Sequence, residues 1–479
     1  MTASRSLLAI ARSIASPVML TLTTPDLGPA TLDAQVGNSA LLTDLYQLTM
    51  IACYCDRAVE QQTASFELFT RRLPDGFGYL VAMGLEQALQ YLEQFQVSSS
   101  QQAQLRATGL FDHAPDQFWD LLATARFTGD LWAVPEGTVV FAHEPLLRIE
   151  APLWQAQWVE TYLLNVLNYQ TLVATRSARL RDVAGDRAQI LEFGTRRAFS
   201  PQAALWAARA ALAAGLDATS NVEAALQLGR QPAGTMAHAL VMALGASMGS
   251  ELAAFEAFQG LFPHGALLVD TFDPVRAIEQ LAERVRAGGA PVPAIRLDSG
   301  DLVSLSQLAR DRLPGTQILV SGDLDEAEID RLRAAGAEID GYGVGTKLVT
   351  GQPVNGVYKL VELAGQPVAK GSSGKATYPG RKQVLRDRDE AGRWLGDRLV
   401  LADEVSRSEL GLLRPVMRAG QRLTDPESLL TIAQRTRSQV QSLPEAVRSI
   451  HDPTPVRPEL SPALQSLTTR VHQSLQAAS

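Results

Sequence analysis

The sequence predicts an α/β protein in which a (β/α) barrel is inserted between two parts of a second domain. Three observations lead there. Four apolar runs, "ALLVDTFD", "AIRLDSGD", "TQILVSGDLD" and "EIDGYGVGTK", follow one another with helical segments between them, at roughly 25 residues per unit, the length of a repeating βα unit. The runs are continuously apolar rather than alternating, as strands buried on both faces by parallel pairing must be. Each ends in a polar or glycine residue (Asp270, Asp298, Gly322-Asp323, Gly343 and Gly345), so the four ends share one face, as at the mouth of a barrel.

The elements follow in order. Residues 1–38 carry Arg and Ser but no acid before Asp26, and a Thr-, Pro- and Gly-rich linker precedes Asn38. They are expected to be a disordered or artefactual extension, with Met19 as an alternative start. Residues 39–150 form the N-terminal part of an α+β domain. Within it, Leu41 to Ala58 has helical spacing, "TASFELFTRRLP" alternates with Phe66, Leu68 and Thr70 on one face, and Val139 to Pro152 suggests two strands around a turn. Residues 151–355 form the barrel. They open on one long amphipathic helix from Trp154, then a helix with Ser200 as N-cap, Pro201 in its first turn and Gly215 at its stop. Residues 356–479 return to strand and loop and close on a helical tail.

Composition narrows the function classes. The 479 residues are 46% hydrophobic and 20% charged, with a net charge of −8. No basic run favours nucleic acid or an anionic membrane surface, and no apolar run reaches the ~18 residues of a membrane span. Cys53 and Cys55 form neither a metal motif nor a disulfide framework, which fits a cytoplasmic location.

The polar residues at the strand ends carry the chemistry. Asp270, Asp298, Asp301 and Asp323 could hold Mg²⁺, grip sugar hydroxyls or orient a histidine; each could also cap the helix that follows. In "GYGVGTK", Gly343 and Gly345 let a phosphate approach backbone N–H groups, with Thr346 as a hydroxyl donor, although a plain βα turn has the same composition. In "LEFGTRRAF", Phe193 with Arg196 and Arg197 suits a flat aromatic acid, or else a core residue beside a solvated turn. In "GTMAHAL", His238 is a core histidine or a nucleophile.

Ten motifs in order, among them "LLTDLYQLTM", "LEFGTRRAFSP", "ATSNVEAA", "GTMAHAL", "LLVDTFD", "IRLDSGDL", "ILVSGDLD", "GYGVGTKLVTG" and "GKATYPGRKQVLR", closely resemble nicotinate phosphoribosyltransferases from about Asn38 to Arg386. The resemblance implies an irregular α/β barrel with a discontinuous α+β domain built from both ends of the chain. It implies transfer of phosphoribose from phosphoribosyl pyrophosphate to nicotinate, coupled to ATP hydrolysis with Mg²⁺, in a homodimer with shared active sites. His238 matches the histidine that the family phosphorylates, Asp270 its orienting carboxylate, and Asp298 the ribose and metal side of the site. Phe193 resembles one slice of a pyridine sandwich and Tyr46 the other, the latter reaching in from the second subunit with Asp44 beside it. Arg196 and Arg296 match contacts to nicotinate and the pyrophosphate-bearing substrate. Gly322, Asp323, Gly343, Gly345 and Thr346 match contacts to the 5′-phosphate and ribose. Lys375 and Lys382 lie in a family signature without an assigned role.

Acid or amide is the remaining fork. Relatives that use nicotinamide place an aspartate in the stretch read here as Thr219-Ser220-Asn221, where Ser220 is a candidate substrate contact. An aspartate there would repel the nicotinate carboxylate by ~1 kcal/mol in water and by several when desolvated, so its absence favours the acid. Alternatives are a nicotinamide phosphoribosyltransferase, a quinolinate phosphoribosyltransferase and a non-catalytic relative that senses nucleotides; an intact His238, Asp270, Asp298 and "SGD" count against the last.

Overall fold

The computed structural model describes residues 40–371, 377–406 and 409–478. The expected extension and Lys375 fall outside them.

One end of the molecule is built on a seven-stranded antiparallel sheet. Its order is Gln366–Pro367, Gly356–Leu363, Thr63–Thr70, Pro145–Pro152, Asp130–Ala133, Arg414–Arg418 and Gln421–Arg422. Strand Thr63–Thr70 therefore lies between a strand from the C-terminal segment and one from the N-terminal segment. Phe66 stacks on Tyr358 across that junction at 4.9 Å. The expected face of Phe66, Leu68 and Thr70 is buried, and so is the opposite face, where Glu67 accepts the buried Lys382 ammonium at 2.8 Å. Alternation misses this second burial because Ser65 and Glu67 are polar yet buried, Glu67 against Lys382 of the C-terminal hairpin Lys382–Arg388 and Trp394–Leu401.

The other sheet has six strands, all parallel: Ala218–Thr219, Gln189–Glu192, Gly341–Val344, Gln317–Ser321, Ala294–Leu297 and Leu267–Leu268. The first strand in the chain, Gln189–Glu192, pairs with the last, Gly341–Val344. The order is thus that of a ring opened at one seam, between Ala218–Thr219 and Leu267–Leu268. The chain between those two strands folds as Val222–Gln227, His238–Met248 and Glu251–Leu261. Helices Pro274–Arg286, Leu302–Arg312 and Glu326–Ala334 separate the later strands as the spacing required.

The long helix expected from Trp154 is broken into Leu153–Trp158 and Glu160–Ala184. Its longer part joins the two cores: Val166, Leu167 and Leu172 pack with the antiparallel sheet, Val173, Ala178 and Leu180 with the parallel one. Ser200 accepts from the Ala203 N–H and Gly215 takes φ +105°, so that helix begins and ends where its punctuation indicated. Cys53 is exposed and Cys55 buried, both free, on helix Leu45–Asp56. Among the described residues no single helix is long and apolar enough to cross a membrane; helices His238–Met248 and Glu251–Leu261 pass that test only as a pair, bent by 113°.

Candidate active site

The C-terminal ends of the parallel strands bring most of the expected residues together. Strand Leu267–Leu268 leads to Asp270, which is nearly buried. Its Oδ2 accepts from the Asp298 N–H at 2.8 Å and the Ser299 hydroxyl at 2.7 Å, tying two neighbouring strand ends. Its Oδ1 is buried with no hydrogen-bond partner. Asp298 in turn accepts from the Ser321 hydroxyl of the next strand. Gly322 then takes φ +98°, and a Cβ there would lie 2.3 Å from the Asp298 carbonyl oxygen, so only glycine lets these ends meet. Asp323 follows at φ +50°, a backbone state uncommon outside glycine. Asp301, in contrast, caps helix Leu302–Arg312 through the Val303 and Ser304 N–H groups and takes no part in this network.

Arg296 leans on the same acids. Burial holds its guanidinium below the usual value, Asp298 and Asp270 oppose that, and the nearby charge of Arg196 adds to it. The Arg296 Nε is buried without a hydrogen-bond partner, and the Arg196 charge acts on the same guanidinium, so positive charge gathers beside the two acids.

Phe193 follows strand Gln189–Glu192, its N–H donating to the Val344 carbonyl at 2.7 Å. Its ring lies over the last parallel strand: a Cβ on Gly343 would come within 2.5 Å of it, and one on Gly345 within 3.2 Å of the Phe193 carbonyl oxygen. Gly343 is therefore required for the aromatic ring, a packing role that "GYGVGTK" does not announce. Thr346 opens a single helical turn, Thr346–Val349. Lys347 beside it is paired with Asp325 at 2.8 Å. Ser220 donates its N–H to the Glu192 carbonyl at 2.9 Å, placing it beside the Phe193 turn. Asp217, the nearest acid to the Thr219-Ser220-Asn221 stretch, is held by Arg181 and by the Ile190 N–H, at the start of the first strand rather than its end.

His238 is the first residue of helix His238–Met248, at the open seam, and is half-buried. Its Nδ1 is 3.1 Å from the Thr271 hydroxyl. The hydrogen bond to the ring nitrogen, expected from Asp270, comes from the next residue, Thr271, while Asp270 turns its Oδ2 to Asp298 and Ser299. The sequence reading missed Thr271 and Ser321, whose hydroxyls gain meaning only once the strand ends are adjacent.

Asp44 and Tyr46 stand apart. They lie at the start of helix Leu45–Asp56 on the antiparallel side, where the Thr161 hydroxyl donates to Asp44 at 2.9 Å and Tyr46 is 47% exposed. Among the described residues no hydrogen bond, ion pair or ring contact joins them to the strand-end cluster of the same chain. On the antiparallel side the sequence reading missed several cations that act on one another. Burial, then the charges of Arg457 and Arg71, holds His143 below its usual value. Burial lowers Lys359, as do Arg71 and Lys370, while Glu160 opposes. Glu160 also acts on Tyr46, whose phenol is pushed up first by burial, so Lys359 and Tyr46 feel the same carboxylate. Lys382, left without a role, is the buried partner of Glu67 and donates to the Tyr378 and Gly380 carbonyls: it holds the fold.

A parallel sheet whose strand ends gather two acids, two arginines, an aromatic ring and a half-buried histidine defines an α/β fold with its polar groups collected at one face, where enzymes of this architecture place their sites. Family comparisons give that class its particular form. Residues 41–168 match the nicotinate phosphoribosyltransferase N-terminal domain, 188–391 the nicotinate phosphoribosyltransferase family, and 408–468 the corresponding C-terminal domain. Nicotinate phosphoribosyltransferase pncB2 of Mycobacterium tuberculosis is 42% identical over 424 residues, covering 86% of this chain and 89% of that protein. The Bacillus subtilis nicotinate phosphoribosyltransferase is 42% identical over 402 residues, 79% of each chain. The crystal structure of human nicotinic acid phosphoribosyltransferase superposes with a TM-score of 0.78 at 29% identity, covering 90% of this chain and 99% of that one. The chain belongs to the nicotinate phosphoribosyltransferase family.

Proposed function

We infer that the protein converts nicotinate and 5-phosphoribosyl 1-pyrophosphate to nicotinate mononucleotide and pyrophosphate, in salvage toward NAD, with ATP hydrolysed through a transient phosphohistidine at His238. The observation that carries this reading is the adjacency, at the parallel-strand ends, of Phe193 and Arg196 with the network of Arg296, Asp270 and Asp298. The first pair suits a pyridine acid and the second a pyrophosphorylated sugar.

In this reading Phe193 stacks on the pyridine ring and Arg196 meets its carboxylate, holding the ring nitrogen as a near-attack nucleophile. Nicotinate is nucleophilic at that nitrogen, so no strong base is needed. The bond from the anomeric carbon to pyrophosphate breaks as the carbon–nitrogen bond forms, through an oxocarbenium-like transition state. Arg296 stabilises the departing charge, and Gly322, Asp323, Gly343, Gly345 and Thr346 cradle the 5′-phosphate and ribose. Asp270 and Asp298 fit Mg²⁺. The buried, unpartnered Oδ1 of Asp270 is a hard oxygen donor, and two carboxylates with substrate oxygens suffice for this ion. Bound there, the ion neutralises charge on the pyrophosphate. The Thr271 hydroxyl, 3.1 Å from Nδ1, supports His238 as the phosphoryl acceptor, since a hydrogen bond at one ring nitrogen orients the other.

A homodimer with shared sites is supported by Tyr46, exposed beside the equally open Leu42 and Leu45 with basic groups nearby, and by apolar Met242 and Met248 exposed on the His238 helix. The negative composition and unpaired cysteines accord with a cytoplasmic enzyme that binds small molecules.

The test supplies purified protein with phosphoribosyl pyrophosphate and ATP, then nicotinate, nicotinamide and quinolinate in turn. Mononucleotide is expected from nicotinate. Formation from nicotinamide alone would overturn the reading in favour of the amide-using relatives.

A further inference from the structure

Glu192 is a buried carboxylate that the chemistry above does not use. It ends strand Gln189–Glu192, is 1% exposed, and no cation among the described residues is paired with it. Burial pushes its carboxyl above the usual range. Both oxygens are nonetheless occupied: Oε1 accepts from the Gly194 N–H and Oε2 from the Thr219 hydroxyl. The Thr219 hydroxyl also accepts from the Asn221 N–H at 2.9 Å, and the Glu192 carbonyl accepts from the Ser220 N–H at 2.9 Å. Glu192 therefore binds two segments at once. One is the turn that carries Phe193 and Arg196, held at Gly194. The other is the strand end that carries Ser220.

A carboxylate in such a place costs free energy unless it is needed, since an apolar residue would fill the same volume without desolvation. Gly194 explains why the contact is tight: a Cβ there would lie 2.4 Å from the Val349 side chain and 2.9 Å from Glu192 Oε1, so the turn is pressed between them. We propose that Glu192 is the positioning residue for pyridine-acid recognition, locking the Phe193–Arg196 turn to the Ser220 strand end as one rigid receptor. It touches no substrate and acts through those three residues. The proposal rests on the nicotinate-using function inferred above. It adds a residue outside the reacting groups to the determinants of nicotinate affinity.

The experiment measures steady-state KM for nicotinate and for phosphoribosyl pyrophosphate in wild type, Glu192→Gln, Glu192→Ala and Thr219→Val. Gln can still accept from Gly194 and can donate to the Thr219 oxygen, so it should keep the nicotinate KM within about threefold of wild type. Ala and the Thr219→Val change each break the clamp and should raise it about tenfold or more, with the other KM within about twofold. If Glu192→Ala does not fold, Thr219→Val, a near-isosteric change, decides alone. An unmoved nicotinate KM, or equal rises in both KM values, overturns the proposal. A wild type that makes no mononucleotide from nicotinate overturns the functional reading and this inference with it; an active wild type with indifferent variants overturns only the inference.

Discussion

At the scale of single residues, geometry separates groups that the sequence presented as equals. Asp270, Asp298 and Asp301 all follow apolar runs, yet the first two cross-link strand ends and the third caps a helix. Spacing could not tell them apart, because a carboxylate after a strand satisfies either role. The motif singled out His238, while its hydrogen-bond partner Thr271 drew no notice, since a hydroxyl beside an acid carries no signal of its own. His238→Ala should abolish ATP hydrolysis and leave a slow, ATP-independent transfer; retained coupling of ATP to product would remove the residue from the mechanism. Thr271→Val should lower ATP-stimulated turnover about tenfold with nicotinate binding unchanged, as loss of an orienting hydrogen bond requires. Gly343→Ala tests the packing under Phe193. Its Cβ would sit 2.5 Å from the ring. Displacing that ring should raise the nicotinate KM by about tenfold, checked against an unchanged far-ultraviolet spectrum.

Elements were legible where their period was long enough. The strands Ala294–Leu297, Gln317–Ser321 and Gly341–Val344 lie where the apolar runs placed them. Strands of two residues, such as Ala218–Thr219, cannot be told from loop by pattern, and the break before Glu160 interrupts an unbroken helical period. The C-terminal hairpin was hardest to place, because buried charge holds it. Arg386 donates to both oxygens of Asp397, at 2.8 and 2.6 Å, and reaches Gln439 in the tail helix and the Val139 carbonyl. Glu144, fully buried, accepts from the Phe141 N–H at 2.8 Å and feels the Asp397 charge. Burial, then the Asp397 charge, pushes the Glu144 carboxyl well above its usual range. The sign follows. A carboxyl raised on folding contributes stability below its unfolded value of about 4.3, and loses it as pH rises through the folded value. Glu144→Gln keeps a donor toward Asp397 and an acceptor for the Phe141 N–H without needing the proton. Its melting temperature should therefore match or exceed wild type at pH 8, with the advantage shrinking toward pH 5. An advantage that grows on acidification would refute the assignment.

The whole molecule places the two halves of the proposed site on different surfaces of one chain. Phe193, His238 and the strand-end acids belong to the parallel sheet and its open seam; Tyr46 and Asp44 belong to the antiparallel end, exposed and without a contact to the first group among the described residues. The proposed two-fold dimer would reconcile them, because a self-complementary interface applies each surface to the other copy twice and so would build two mixed sites. That arrangement has a consequence no monomer can imitate. Tyr46→Ala and His238→Ala damage opposite halves, so each variant alone should lose ATP-stimulated activity. Co-expressed in equal amounts, half of the dimers pair one chain of each kind. In such a dimer one site carries both lesions and the other carries neither, so about a quarter of wild-type activity should return. Variants purified separately and mixed below the rate of subunit exchange should show none of it. If co-expression restores nothing while each variant remains folded and dimeric by sedimentation, Tyr46 serves its own chain's site or no site at all, and the shared-site arrangement fails.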